Sequence, residues 1–88
     1  MLAGQKVWGV LYRHKYGADI DLYHAREAAE KGATNIMLEY LDYELDHDET
    51  KADVRKLIED NDIEEAISIY NEGTEYREEL SIFDSVIK

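Results

Sequence analysis

Between Ala25 and Leu45 the apolar residues Ala29, Ala33, Ile36, Met37, Tyr40, Leu41 and Leu45 recur at steps of three and four. That is the period of an α-helix, and it holds over roughly four to five turns. A stripe of that length is stable only when something covers it, so the rest of the chain must supply a complementary apolar surface. Gly32 falls inside the stretch at a cost of about 1 kcal/mol relative to alanine. Beside Ala33 on the apolar side, it would let a neighbouring element approach closely. Leu38 and Tyr43 lie off the stripe and are expected to be partly exposed.

The cover begins upstream. Residues 6–15, KVWGVLYRHK, alternate Trp8, Val10, Tyr12 and His14, and DIDLYHA alternates Ile20, Leu22 and His24 after a break at Tyr16-Gly17-Ala18-Asp19. Two alternating runs around a glycine read as a β-hairpin. Setting even residues opposite even ones would put Trp8, Val10, Tyr12, Ile20 and Leu22 on one face. The same register would bring Arg13 and Lys15 near Asp19 and Asp21 on the other. Gly17 is the residue free to take positive φ.

Downstream, Asp46-His47-Asp48-Glu49 is an acidic connector. Thr50 or Asp48 can cap a second helix running to about Asp60, with Val54, Leu57 and Ile58 inward. Asp62-Ile63-Glu64-Glu65 has the spacing of a capping box, and Ile63, Ala66, Ile67 and Tyr70 follow at helical steps. Gly73 stands in the usual stop position. The tail suits either a helix or a strand. A strand over 79–87 is expected, because a lone hairpin is marginal and a third strand would complete a sheet. The reading is a single α+β domain over 1–88, of order β-β-α-α-α-β, its small antiparallel sheet packed on one face by the long helix.

Charge narrows the function classes. Asp and Glu number 21 against 10 Lys and Arg, a net charge of −11. Residues 1–31 carry five bases and four acids, whereas 32–88 carry five bases and seventeen acids, so the acidity belongs to the later two-thirds of the chain. Such a field repels nucleic acid and anionic membrane and attracts basic proteins or cations. The chain has no cysteine, which leaves out disulfides and thiolate chemistry. Without a span-length apolar run or a signal-peptide cleavage pattern, the expected compartment is the cytoplasm.

Chemistry finds little support. The carboxylates are abundant, but none pairs with a base or nucleophile at a diagnostic spacing, and there is no phosphate-binding glycine loop. A non-enzyme without a cofactor is expected. His14 and His24 would fall on the core-side face of the hairpin in that register and read as partly buried structural histidines. His47 with Asp46, Asp48 and Glu49 lacks the alternating ligands of a calcium loop, which leaves metal binding as a minor alternative. The acidic residues Glu39, Asp42, Asp46, Asp48, Glu49, Asp53, Asp60 and Asp62 are the candidate partner-binding set. Glu39, Asp42 and Asp46 would line one side of the first helix about 5–6 Å apart, comparable with phosphate spacing along a strand.

The hairpin signature His14-x-x-Gly17-x-Asp19, the run Glu27-Ala28-Ala29 opening the helix, Glu65-Ala66-Ile67-x-x-Tyr70 and a short final strand together resemble a group of short acidic phage and bacterial proteins. Ala25-Arg26 departs from that group's Thr-Glu helix cap. The resemblance implies the context of host-defence inhibitors, anti-CRISPR or anti-restriction proteins, acting in the host cytoplasm. The expected function is therefore docking on a basic, nucleic-acid-binding protein, by mimicry of nucleic acid. The alternative is an antitoxin-like or housekeeping partner that uses apolar anchors such as Tyr43 or Leu38. The oligomeric state is open.

Overall fold

Strand β1 (Lys6–His14), strand β2 (Gly17–Tyr23), helix α1 (Arg26–Glu44), helix α2 (Asp48–Glu59), helix α3 (Ile63–Gly73) and strand β3 (Glu79–Val86) follow one another in the α+β order read from the sequence. This is a computed structural model in which residues 6–86 are described. The strands form one antiparallel sheet of order β2-β1-β3, so the last strand joins the free edge of the hairpin. Ile87, the end of the expected strand, lies outside the described residues. Helices α1 and α3 pack on one face of the sheet, and α2 packs on α1 and α3.

The stripe of α1 is narrower than its sequence suggests. Ala29, Ala33, Met37, Leu41 and Leu45 are buried at strict steps of four, while Ile36 is only partly covered. They meet Val10, Tyr12 and Leu80 from the sheet and Val54, Ile63, Ala66, Ile67 and Tyr70 from the other helices in one core. Full burial of side chains such as Met37 or Leu41 contributes about 1.5–3 kcal/mol each. The two alanines and Gly32 bring α1 close to the sheet. A Cβ at Gly32 would stand 2.3 Å from the Tyr23 hydroxyl, so the glycine makes the contact with β2 possible.

The hairpin register differs from the even-to-even expectation. Trp8 pairs with Tyr23, Val10 with Asp21, Tyr12 with Asp19 and His14 with Gly17, even against odd throughout. The loop is only Lys15-Tyr16, and a two-residue loop fixes an odd sum whatever the apolar pattern prefers. Lys15 and Tyr16 keep negative φ, which fits strand twist poorly; Gly17 at φ +133° takes up the mismatch. The core side of β1 is as expected, but β2 is turned over. Tyr23 faces the helices, and Ile20 and Leu22 face away. Arg13 accordingly pairs with Glu79 of β3 and not with Asp19 or Asp21. His24 lies beyond the end of β2, so it does not share the core-side face of the hairpin.

The helix ends also differ. Asp48 begins α2 and its N-cap is His47, with no side-chain cap bond; Asp48 and Glu49 instead place negative charge on the first turn. Asp62 is the N-cap of α3 but makes no side-chain cap bond, so the capping box does not form. Gly73 is the last residue of α3 and not a left-handed stop. A Cβ there would meet the Leu45 side chain at 2.5 Å. Glu75 and Tyr76 take the positive φ values that reverse the chain.

The link from α3 to β3 is fixed by side chains. The Asn71 amide donates to the Leu80 carbonyl and accepts from the Leu80 N–H, both at 2.9 Å, as a strand neighbour would. The buried Thr74 hydroxyl lies 2.9 Å from the Asn71 carbonyl and 3.0 Å from the Glu78 carbonyl.

If Gly17 sets the hairpin, Gly17→Ala should destabilise the protein by about 1–2 kcal/mol. Space cannot be the cause, since nothing lies within 4 Å of the added methyl. An unchanged urea midpoint would contradict this account of the loop.

Candidate functional site

The carboxylates singled out in the sequence are all exposed: Glu39 and Asp42 on α1, Asp46 in the connector, Asp48, Glu49 and Asp53 on α2, and Asp60 and Asp62 beyond it. Glu39 and Asp42 stand on α1, whose helix ends at Glu44. Asp46 therefore sits in the connector and does not continue their row. Arg55 donates to Asp42 at 3.0 Å, and Lys51 lies 4.0 Å from Asp42 and 3.7 Å from Asp48. Arg77 lies 3.9 Å from Asp46. Asp60 and Asp62 lie beyond the other end of α2, whose twelve residues span about 18 Å. Glu39, Glu49, Asp53, Asp60 and Asp62 have no ion-pair partner among the described residues. Exposed pairs such as those at Asp42 and Asp48 contribute about 0–1 kcal/mol each, so they moderate the field without cancelling it.

The opposite surface is different in kind. From the register, the outer sheet face carries Val7, Gly9, Leu11 and Arg13, then Ala18, Ile20 and Leu22, then Glu79, Ser81, Phe83 and Ser85. Its two charges pair with each other. Phe83 lies across Gly9, where a Cβ would be 2.3 Å from the ring. Ile20 is 59% and Leu22 65% exposed, and the register puts them side by side with Leu11 and Phe83. Tyr43 and Leu38 are exposed on α1, as expected.

A third place was not legible in the sequence. A recess of about 230 Å³ is lined by Tyr12 and His14 of β1, by Tyr40 and Glu44 one turn apart on α1, and by Glu78 before β3, with Lys15, Tyr16 and Asp19 at its hairpin side. Tyr12 and Tyr40 stack with ring centroids 5.6 Å apart. Behind them the Tyr12 and Tyr70 hydroxyls are 3.1 Å apart and buried. The Tyr16 N–H donates to His14 Nδ1, leaving Nε2 to donate to Asp19 at 3.0 Å. Glu78 is only 4% exposed, and its Oε2 has no hydrogen-bond partner.

These groups perturb one another. Burial pushes the Tyr70 phenol up to about 12. Tyr12 is raised further, by burial first and then by side-chain hydrogen bonding to Tyr70 and to the Glu78 carboxyl. Burial and the Glu78 carboxylate also hold Glu44 above the usual carboxyl range. The clue in the sequence was compositional. Seven tyrosines against one phenylalanine, one of them in the apolar stripe of α3, call for buried hydroxyl partners.

Among the described residues no three His, Asp or Glu side chains gather into a metal-holding group, and no helix is long and apolar enough to cross a membrane. The chain matches no protein-family model, no curated protein and no solved structure.

A carboxyl raised in the native state keeps its proton where the unfolded chain has lost it. Stability from Glu44 should therefore fall as pH rises from about 4.5 through the native value. Glu44→Gln should match the wild type in acid and become the more stable protein towards neutral pH. Parallel urea titrations across that range would check it, since other carboxylates cancel in the difference.

Proposed function

We propose that this is a binding protein that docks on a basic surface of another protein through the carboxylates of its helical layer. The observation that supports this reading is that Glu39, Glu49, Asp53, Asp60 and Asp62 stand exposed with no ion-pair partner among the described residues. An uncompensated field of this kind steers association with a positive partner and excludes negative ones. In its finer form the partner is a nucleic-acid-binding host protein such as a defence nuclease. The acidic ends of α2 then occupy the groove that phosphates would fill. The resemblance to small phage-type proteins supports that form by context.

A second reading has its own observation. The uncovered row of Ile20, Leu22, Leu11 and Phe83 favours an antitoxin-like interface in which apolar anchors supply the affinity and the acidic layer only keeps the protein dissolved.

The two part under salt. A partner captured at low salt by the helical layer should bind more weakly as salt rises and be displaced by DNA or RNA. Reversing two charges, Asp53→Lys with Asp60→Lys, should weaken it by about tenfold or more. Affinity that ignores salt and both reversals, yet collapses with Leu22→Ser, would replace the first reading with the second.

A further inference from the structure

We propose that the recess walled by Tyr12, Tyr40, Glu44 and Glu78 is a socket for an alkylammonium group. This goes beyond docking by the helical layer and does not depend on it. The acidic residues proposed for docking lie on the outside of α1 and α2 and in the connectors. The recess is instead set between β1, α1 and the segment leading into β3.

The starting observation is the orphaned oxygen. Glu78 is almost fully buried at the wall of the recess, and its Oε2, itself buried, accepts no hydrogen bond. Leaving a buried acceptor without a donor is unfavourable, and more so for a charged one. The fold nevertheless holds Glu78 there firmly. Its carbonyl accepts from the buried Thr74 hydroxyl, and the next residue enters β3. The backbone is therefore held at the wall of the recess, and one oxygen of the carboxylate it carries there is still without a donor.

The walls specify the donor. Tyr40, the more exposed ring of the Tyr12–Tyr40 stack, gives the recess an aromatic wall, and aromatic rings attract cations by their quadrupoles. Glu44 adds a second carboxyl beside Glu78. Calcium or magnesium would need six or more oxygen ligands or a nearly complete octahedron, which two carboxyls and phenols do not supply. A guanidinium makes paired parallel bonds to a whole carboxylate, whereas one unpartnered oxygen offers a single point of attachment. An ammonium, with three donors around one nitrogen and an apolar stem, fits both the carboxyls and the rings. The volume of about 230 Å³ lies below the roughly 300–1,000 Å³ typical of drug-sized ligands, so it suits one side chain or one small amine.

The other charged groups at the recess bear on selectivity. Lys15 lies over the Tyr16 ring at 5.2 Å and has no ion-pair partner. It stands at the hairpin side beside the His14–Asp19 pair, and its charge acts on Glu44 ahead of that of Arg77. The socket is therefore attractive inside and positive at one rim, which disfavours a divalent ion more than a single ammonium.

The full chain can be titrated with Nα-acetyl-lysine N-methylamide, n-butylammonium and the uncharged Nα-acetyl-norleucine N-methylamide, following the Tyr12 and Tyr40 ring signals by NMR. Saturable shifts are expected with both ammonium probes and not with the norleucine compound. Glu78→Gln should weaken binding about 10- to 100-fold, the loss of one charge-assisted hydrogen bond. Tighter binding of the lysine derivative would assign the ligand to a protein side chain, and tighter binding of butylammonium to a free amine. Equal binding of the norleucine compound, or an unaltered affinity in Glu78→Gln, would overturn the socket. Binding to Lys15→Met but not to the wild type would overturn an external ligand in favour of Lys15 itself. Should Glu78→Gln fail to fold, the comparison of charged and uncharged probes on the wild type still decides.

Discussion

A loop of two residues between β1 and β2 determines which side of the hairpin meets the helices, and most of the surface follows from it. With His14 opposite Gly17, every pair has an odd sum. Tyr23 is then turned toward α1, where Gly32 leaves room for its ring. Asp19 and Asp21 fall on that same side, at an edge strand that the helices reach only near Tyr23. Inward-pointing charges on an edge strand discourage a further strand from adding to it. The same parity sends Ile20 and Leu22 to the outer face, so the exposed apolar row is a consequence of the loop as much as of composition.

Helix α1 translates that sheet into a core. Its buried residues step by four, with alanine near its start and Met37, Leu41 and Leu45 further on, so the gap to be filled widens along the helix. Tyr70 of α3 fills the wide end. A phenol of that size brings a hydroxyl into the core, and Tyr12 is the side chain that meets it. The polar groups around them belong to the same arrangement: once two phenols are buried near Glu44 and Glu78, burial raises both phenols and Glu44 together. The recess is thus the polar margin of the core and not a feature added to its surface.

Local periodicity made the helices legible. Ala29, Ala33, Met37, Leu41 and Leu45 of the first stripe, Val54 in α2, and Ile63, Ala66, Ile67 and Tyr70 in α3 are buried, whereas Ile36, Leu57 and Ile58 are only partly covered and Tyr40 is exposed. Alternation also placed Trp8, Val10 and Tyr12 on the inner side of β1. Where two local signals competed, the pattern misled. The apolar alternation of β2 asked for one parity and the tight loop imposed the other, since a turn leaves no slack for a residue to slip. Helix ends were read from capping types, yet Asp62 makes no cap bond and Gly73 answers to the Leu45 side chain rather than to backbone dihedrals. Glu44 and Glu78 could not be found at all. They are 34 positions apart, and only the return of β3 alongside β1 brings them to one recess.

The resulting molecule divides its surface by kind of interaction. The helical layer carries unpaired carboxylates at both ends of α2, and the outer sheet face carries apolar side chains with one internally paired couple, Arg13 and Glu79. Long-range attraction and short-range burial are therefore presented on different sides. An exposed carboxylate acts over about 8–10 Å at ordinary salt, whereas apolar contact acts only on touch. A partner drawn in by the acidic side meets few apolar groups there beyond Leu38 and Tyr43, so its affinity must come chiefly from charge. A partner seated on Ile20, Leu22 and Phe83 would be approached across a nearly neutral face, and its arrival would owe little to the net charge. The two surfaces are thus suited to different partners, and that separation traces back to the parity set between His14 and Gly17.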